Sequence, residues 1–271
     1  MAYLFTWPVV LYYMLFRPTL RKRTRHYLDR RFPAHTGLRA FLDSFRLGLC
    51  FAKTLVDRAT TGIVGPDSMR VRFDTLDEFH KLAAQGKGMI LINAHVGCWQ
   101  TAMSGIHWLQ RPVNLLMKRE PGDVDRHYHE HRQKDCHYKI IDPEGFLGGA
   151  VEIVQALQRG EIVSVMGDRV FGNDKNTLEV SFMGEKAVFP VGAYKIAAAT
   201  GAPVAVMFSH KTGPDSYAME LARVIRIDRA HGLRLENLRP YVCEFVRALE
   251  EYALRHPYQV YNFHNMWAAR K

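Results

Sequence analysis

Short apolar runs alternate with stretches of helical period from Met69 onward, and this alternation limits the possible folds more than any other feature. The predicted strands are MRVRF, GMILINAH, VNLLM, YKII, IVSVM and PVAVMF. The predicted helices are TLDEFHKLAAQ, FLGGAVEIVQALQR, and the segments 98–109, 191–200 and 237–254. This order predicts an α/β fold with a central mixed, largely parallel sheet flanked by helices, with active-site residues beyond the carboxyl ends of the strands.

The N-terminal part has a different character and is predicted to be a membrane-associated helical segment. The apolar run from Ala2 to Phe16 is shorter than the roughly 20 residues that span a bilayer. Basic residues follow this run instead of preceding it, which argues against a signal peptide. We therefore predict a membrane-proximal helical segment over residues 1–62 and an α/β domain over residues 63–271.

The basic residues after this run suggest the kind of surface that the chain meets. They are Arg17, Arg21, Lys22, Arg23, Arg25, Arg30 and Arg31, opposed only by Asp29. Such a cluster is typical of a cytoplasmic juxtamembrane segment on anionic lipid, although a solvated basic helix face gives the same pattern. The net charge of +10 also fits nucleic acid, but no nucleic-acid-binding signature accompanies it, so no nucleic-acid partner is expected.

A single histidine at a strand end is the main candidate for chemistry. His95 ends the run GMILINAH, and VGCWQ leads from it into the next predicted helix. Its side chain has the pKa range that a general base needs near neutral pH, and Gln100 is placed to orient the ring. Gly97 gives the turn its room. From these residues alone, a structural histidine is a more common interpretation than a catalytic one.

The segment NAHVGCWQ resembles the H-x-G-N-W-E type motif of the bacterial lipid A late acyltransferases, within the lysophospholipid acyltransferase superfamily. The resemblance continues in the family's order through PVVLYYMLFRPTLRKRTRHYLDRRF, VNLLMKREP, SVMGDRV, FPVGAYKIAAATGAPV and HPYQVYNF. It implies transfer of a fatty acyl group from a thioester, on acyl carrier protein or coenzyme A, to a hydroxyl or amine. The acceptor would be a membrane lipid or lipid A-like molecule at the cytoplasmic face of the bacterial inner membrane, and no cofactor is implied.

The resemblance also assigns roles to residues. His95 and Gln100 would be catalytic, with His95 as the general base. Substrate binding is assigned to Asn93, Gly97, Lys118, Arg119, Asp168, Arg169, Pro190 and Gly192. Lys118 and Arg119 would bind phosphate. Asp168 and Arg169 follow the predicted strand IVSVM and are therefore expected at the same edge as His95. They would position substrate or form an ordinary loop salt bridge. Pro190 and Gly192 would begin a helix whose free N–H groups face an anion, or simply start that helix.

One position departs from the family pattern. The residue five after the histidine is acidic in the family, and here it is Gln100, which lacks the charge that stabilises an imidazolium. Three explanations stay open. The acceptor reacts without a carboxylate that stabilises the imidazolium, another carboxylate such as Asp168 supplies that charge, or the chain is a non-catalytic relative that binds membrane lipid.

Three other functions compete with acyl transfer. The segment HYHEH, with His127, Glu130, His131 and the nearby His137, has a spacing that a metal site could use, but no metal is expected. A hydrolase would need Cys98 as its nucleophile, because no G-x-S-x-G sequence is present. The other cysteines, Cys50, Cys136 and Cys243, lie far apart and predict a reducing cytoplasmic setting. A peripheral lipid-binding or scaffolding protein is the non-enzymatic alternative.

Overall fold

The computed structural model describes residues 2–99, 109–118, 138–170, 176–228, 230 and 232–267. Its helices are α1 (Ala2–Phe16), α2 (Pro18–Arg31), α3 (Gly37–Val64), α4 (Leu76–Ala83), α5 (Ala150–Gln158), α6 (Gly192–Thr200) and α7 (Leu235–Arg255). Its strands are β1 (Arg70–Phe73), β2 (Met89–Asn93), β3 (Val113–Leu116), β4 (Tyr138–Ile141), β5 (Ile162–Met166), β6 (Thr177–Phe182), β7 (Glu185–Pro190), β8 (Val204–Gly213) and β9 (Ser216–Ile225).

The described strands form a seven-stranded sheet in the order β1-β9-β8-β2-β5-β3-β4. The pairs from β8 through β2, β5 and β3 to β4 are parallel, β8 and β9 are antiparallel, and β1 is parallel to β9. The predicted α/β architecture with a mixed, largely parallel sheet is thus confirmed. Strands β6 and β7 form a separate antiparallel pair that the sequence analysis did not predict.

The apolar side chains of the central strands alternate between two cores, because successive residues of a strand point to opposite faces. On β2, Ile90 and Ile92 enter the larger core, whereas Met89 and Leu91 enter the smaller one. The larger core also contains side chains of α5, α6 and α7, and the smaller core contains side chains of α4. Both faces of the sheet are therefore covered, as expected for parallel strands with near-continuous apolar runs.

The N-terminal helices join this body through buried contacts. Tyr27 and Leu28 of α2 and Leu47 of α3 belong to the larger core. Asp57 of α3 is fully buried, and its carboxylate accepts hydrogen bonds from Tyr217 and from Lys211, whose Nζ lies 2.5 Å from Oδ2. Helix α3 is thereby fixed to the β8–β9 pair. The proposed division at residue 62 stays a prediction.

Helix α1 covers the run that was predicted to associate with a membrane. It packs on α3 through Val10 and Met14, while most of its other side chains are exposed. None of the helices in the described part of the chain combines the length and apolar character that crossing a bilayer demands.

The predicted helix over residues 146–159 differs in its first turn. Residues Phe146–Gly149 form a 3₁₀ turn, and only Ala150–Gln158 are α-helical. Leu147 and Gly148 have φ values of 51° and 66°, so the backbone reverses there before the helix begins. The two glycines of FLGG adopt positive φ values at little steric cost. Periodicity alone did not indicate this turn.

A stacked histidine pair makes stability depend on pH. The rings of His210 and His256 stack with centroids 4.1 Å apart. Burial, followed by the charges of His210 and Arg255, lowers the pKa of His256 to about 4 from the ordinary 6.5. The unfolded chain therefore binds a proton that the folded chain rejects between these two values. The contribution to stability is complete above pH 6.5 and is lost as the pH falls toward 4.

We expect His256→Phe, which keeps a ring but cannot titrate, to reduce this loss. Urea unfolding at pH 7 and pH 5 measures it as the difference between the two free energies of unfolding. That difference should be smaller in the variant than in the wild-type protein. An equal difference in the two proteins would show that His256 is not responsible.

Candidate active site

Two parallel strands end side by side and bring together the residues that follow them. Strands β2 and β5 pair in register, with Asn93 opposite Met166. His95 and Asp168 each lie two residues beyond these partners, so the register alone places them at the same edge of the sheet. The two segments stay aligned just beyond the strands, because the Gly167 N–H donates to the Asn93 carbonyl at 2.8 Å.

Asp168 holds His95 through two contacts. The Nδ1 atom of His95 lies 2.8 Å from Oδ1 of Asp168, and the backbone N–H of His95 donates to Oδ2 at 2.9 Å. Asp168 is 2% exposed, whereas the His95 side chain is 26% exposed. Nδ1 is thus occupied by the carboxylate, and Nε2 is the nitrogen left for a substrate.

The Asp168 carboxylate stays ionised despite its burial. Burial by itself raises the pKa of this carboxyl, but the charge of His95, its two hydrogen bonds and the charge of Arg169 together lower the pKa below its usual value. A buried carboxylate that holds an imidazole fixes its tautomer and stabilises the imidazolium. Asp168 therefore places a negative charge beside the His95 ring.

The C-terminal segment HPYQVYNF is hydrogen-bonded to the loop that carries His95. The Tyr261 N–H donates to the His95 carbonyl at 2.7 Å, and the Gly97 N–H donates to the Gln259 carbonyl at 2.9 Å. The side-chain amide of Asn262 donates to the Asp168 carbonyl at 2.8 Å. One C-terminal segment therefore fixes the backbone on both sides of the His–Asp pair.

Gly97 lies in a close approach between this loop and β8. Its φ of +55° falls in the left-handed region, and an added Cβ would lie 1.9 Å from the Ser209 carbonyl oxygen. The Ser209 hydroxyl in turn accepts a hydrogen bond from the Cys98 N–H at 3.2 Å. Any side chain at position 97 would overlap the backbone of Ser209, so this turn requires glycine.

The other predicted site residues are distributed around this pair. The Asn93 side chain donates to the Ser164 hydroxyl at 2.9 Å and lines a small cavity of about 40 Å³ beside Trp99. Lys118 is bonded to Glu144, with Nζ 2.6 Å from Oε1. Arg169 follows Asp168 at the same edge. The structure thus gathers His95, Asn93, Asp168 and Arg169, while the described ion pair of Lys118 is with Glu144.

Pro190 and Gly192 line a cleft that Arg169 also lines. The cleft has a volume of about 420 Å³, and most of the side chains along it are apolar. The prediction that Pro190 begins a helix was wrong, because it is the last residue of β7 and α6 starts at Gly192. Its ring is compatible with the end of this strand because, among the described strands, β7 pairs only with β6.

Several residues from the sequence analysis lie outside the described part of the chain. They are Gln100, Arg119, Cys136 and the whole HYHEH segment with His137. Cys98, the candidate nucleophile of a hydrolase, is 1% exposed and packs with Met69 and Tyr217. A buried thiol in apolar surroundings is not a reactive one.

No role was predicted for Gln259, Ser209 or Asn262. Gln259 and Asn262 belong to HPYQVYNF, which was singled out only as part of the resemblance, and Ser209 lies within β8. A polar Asn between apolar residues in a C-terminal loop was the available signal for Asn262, which is 6% exposed. Nothing in the sequence pointed to Ser209, whose role depends on the approach of Gly97.

Comparison with known proteins identifies the class. The sequence profile described as bacterial lipid A biosynthesis acyltransferase matches residues 50–230, which is more than half of the chain. The chain therefore belongs to the bacterial lipid A biosynthesis acyltransferase family, as its motifs indicated, and membership implies acyltransferase activity.

Among curated proteins no match was found. Among solved structures, the 1-acyl-sn-glycerophosphate acyltransferase PlsC from Thermotoga maritima is 14% identical to this chain. That alignment covers 93% of this chain and 97% of PlsC, with a TM-score of 0.43.

Proposed function

We propose that the protein transfers a fatty acyl group from an acyl thioester to a hydroxyl or amine of a membrane lipid or lipid A-like acceptor. The donor is acyl carrier protein or coenzyme A carrying the acyl chain, and the site is at the cytoplasmic face of the bacterial inner membrane. The single observation that carries the proposal is the two-point contact of the buried Asp168 carboxylate with His95.

The proposed mechanism follows from which imidazole nitrogen is free. Nε2 of His95 removes the proton of the acceptor hydroxyl or amine as the acceptor atom attacks the thioester carbonyl. The resulting imidazolium is stabilised by Asp168 through Nδ1. When the tetrahedral intermediate collapses, the C–S bond breaks and the imidazolium returns the proton to the departing thiolate. In this proposal Asp168 is a positioning residue and replaces the missing carboxylate at residue 100.

The acyl chain is proposed to lie in the 420 Å³ cleft beside α6. Its volume falls within the roughly 300–1,000 Å³ that is usual for ligand sites. Apolar side chains of β2, β5 and α5 line it, including Ile92, Val165 and Ile153, and Gly167 and Arg169 lie on either side of Asp168 at the same cleft. An acyl chain in this position would have its thioester end close to the His–Asp pair.

Narrowing this cleft should shorten the preferred acyl chain. Ala193 lies half-buried in the first turn of α6 and lines the cleft, so Ala193→Phe would fill part of it. We expect the ratio of kcat/KM for a long donor to that for a short donor to fall roughly tenfold, because a few methylenes lose about 0.8 kcal/mol each. Ala199→Phe, at an exposed position of the same helix, is the control and should leave the ratio unchanged. An unchanged ratio in Ala193→Phe would place the acyl chain elsewhere.

The proposed membrane contact is supported by the exposed side of α1. Its exposed large apolar side chains are Leu4, Phe5, Trp7, Val9, Leu11, Tyr12, Tyr13, Leu15 and Phe16. A soluble surface rarely carries so large a contiguous apolar patch, and the basic residues of α2 follow it directly. Apolar side chains beside arginines suit the boundary between lipid tails and anionic headgroups.

Mass analysis of lipids from cells with and without the gene tests the proposed function. We expect a lipid species one acyl chain heavier in cells that carry the gene. The alternative, a non-catalytic lipid-binding relative, is favoured by Gln100 in place of an acidic residue. Identical lipids in the two strains, with vesicle binding but no turnover by the purified protein over a panel of acyl thioesters, would support that alternative.

A further inference from the structure

A second cleft is lined by Asp168 and by cationic side chains from three parts of the chain. It has a volume of about 700 Å³. Arg23 and His26 come from α2, Arg169 follows Asp168, and His264 comes from the C-terminal segment. Arg23 and His26 are three residues apart on a helix and so lie on one face.

The carboxylates nearest to this cleft have other partners. Asp168 accepts hydrogen bonds from His95 with both of its oxygens. Asp29 pairs with Arg25, and Glu185 pairs with Arg30. Within the described ranges, neither Arg23 nor Arg169 forms an ion pair, and the buried Nε of Arg169 has no hydrogen-bond partner. The two arginines outweigh Asp168, the one carboxylate among the described residues that line the cleft, so the cleft keeps an excess of positive charge.

The pKa of His26 also reflects the positive charge around this cleft. Burial lowers the pKa of His26, and the charges of Arg30, Lys22 and His264 lower it further. Like charges gathered around a concave surface focus a positive potential into it. A bound anion with several acceptor oxygens would offset this repulsion and also use the unpartnered donor of Arg169.

We propose that this cleft, lined by Arg23, His26, Arg169 and His264, binds a phosphate monoester group of one of the two substrates. Phosphate monoesters carry up to two negative charges and three acceptor oxygens, which match two guanidinium groups and two imidazoles better than a phosphate diester does. The group belongs either to the headgroup of the acceptor lipid or to the donor's nucleotide end. The assignment rests on the proposed function for its place beside the His–Asp pair.

Vesicle binding by the full chain tests the lipid source. Phosphatidylcholine vesicles would carry phosphatidate, a monoester, or phosphatidylglycerol, a diester, matched for surface potential. We expect the wild-type protein to prefer phosphatidate roughly tenfold, the contribution of one charge-assisted hydrogen bond. Arg23→Gln and His264→Gln should each remove most of this preference. Lys22→Gln removes an exposed charge that acts on His26 but does not line the cleft, so it should weaken binding to both vesicles equally and leave the preference intact.

Titration with adenosine 3′,5′-bisphosphate tests the nucleotide source. Binding that is weakened about tenfold by Arg23→Gln but not by Lys22→Gln would assign the cleft to the donor's nucleotide end. The proposal is overturned if the wild-type protein binds both vesicle types equally and no Arg23-dependent binding of the bisphosphate is seen. Neither measurement requires turnover, so the binding preference can be measured whether or not the enzyme is active. Inactivity of the enzyme with an intact preference would count against the proposed function alone.

Discussion

Replacing Asp168 by Asn is expected to lower kcat by about 10³- to 10⁴-fold while leaving KM for the acyl thioester nearly unchanged. The neutral amide has almost the same shape but cannot stabilise an imidazolium at His95, whose Nδ1 lies 2.8 Å from Oδ1. It also presents an N–H group where the ring or the His95 backbone needs an acceptor. Steady-state kinetics with a purified variant and a matched acyl thioester measure both parameters.

Asp43 provides a matched control for this substitution. It is a second buried aspartate, 2% exposed, and its Oδ2 lies 2.7 Å from Nδ1 of His35. The asparagine keeps an oxygen that can accept from the Tyr258 hydroxyl, which donates to Oδ1 at 2.7 Å, but it loses the charge that faces His35. Asp43→Asn should therefore reduce the free energy of unfolding without reducing kcat. Similar losses of kcat in Asp43→Asn and Asp168→Asn would mean that Asp168 acts only on stability.

Replacing Gly97 by Ala is expected to be the most destabilising of the single changes considered. The new Cβ would lie 1.9 Å from the Ser209 carbonyl oxygen, and the φ of +55° is itself unfavourable for alanine. Left-handed strain and overpacking each cost about 1–3 kcal/mol, so the free energy of unfolding should fall by about 4 kcal/mol. Turnover should also fall, because relief of the overlap displaces the loop that carries His95.

Gly86→Ala separates the two costs. Gly86 also has a positive φ, +78°, but an added Cβ would meet nothing within 4 Å. This control should lose only about 1–2 kcal/mol, the cost of the left-handed conformation. Urea denaturation of both variants gives the comparison. If Gly97→Ala were no less stable than Gly86→Ala, the close approach to Ser209 would not exist in solution.

The sheet could be predicted because its strands have an apolar period that is visible over four to six residues. The strands MILIN and IVSVM are buried on both faces, so their sequences are nearly continuous apolar runs. The β6–β7 pair was missed because Pro190 and the charged residues Glu179, Glu185 and Lys186 interrupt the apolar pattern. The available sequence signal was Gly184 in the turn between the two strands, where Met183 and Gly184 both have positive φ.

The candidate site was predictable in part. The order of motifs along the chain indicated His95, and the parallel arrangement placed Asp168 at the same edge. That Asp168 contacts Nδ1 depends on the exact register of Asn93 with Met166, which a sequence pattern does not contain. The cationic cleft could not be foreseen either, since Arg23, Arg169 and His264 are distant along the chain and meet only after folding.

Turnover by purified His95→Ala protein tests the central claim most directly. Removal of a general base lowers the rate by about 10²- to 10⁴-fold, so the variant should transfer acyl groups no faster than the background reaction. The variant should be less stable than the wild-type protein, because the buried Asp168 carboxylate loses its side-chain partner, so circular dichroism at the assay temperature must show that it is folded. A folded variant that turns over acyl thioesters at the wild-type rate would contradict the assignment of His95 as the base.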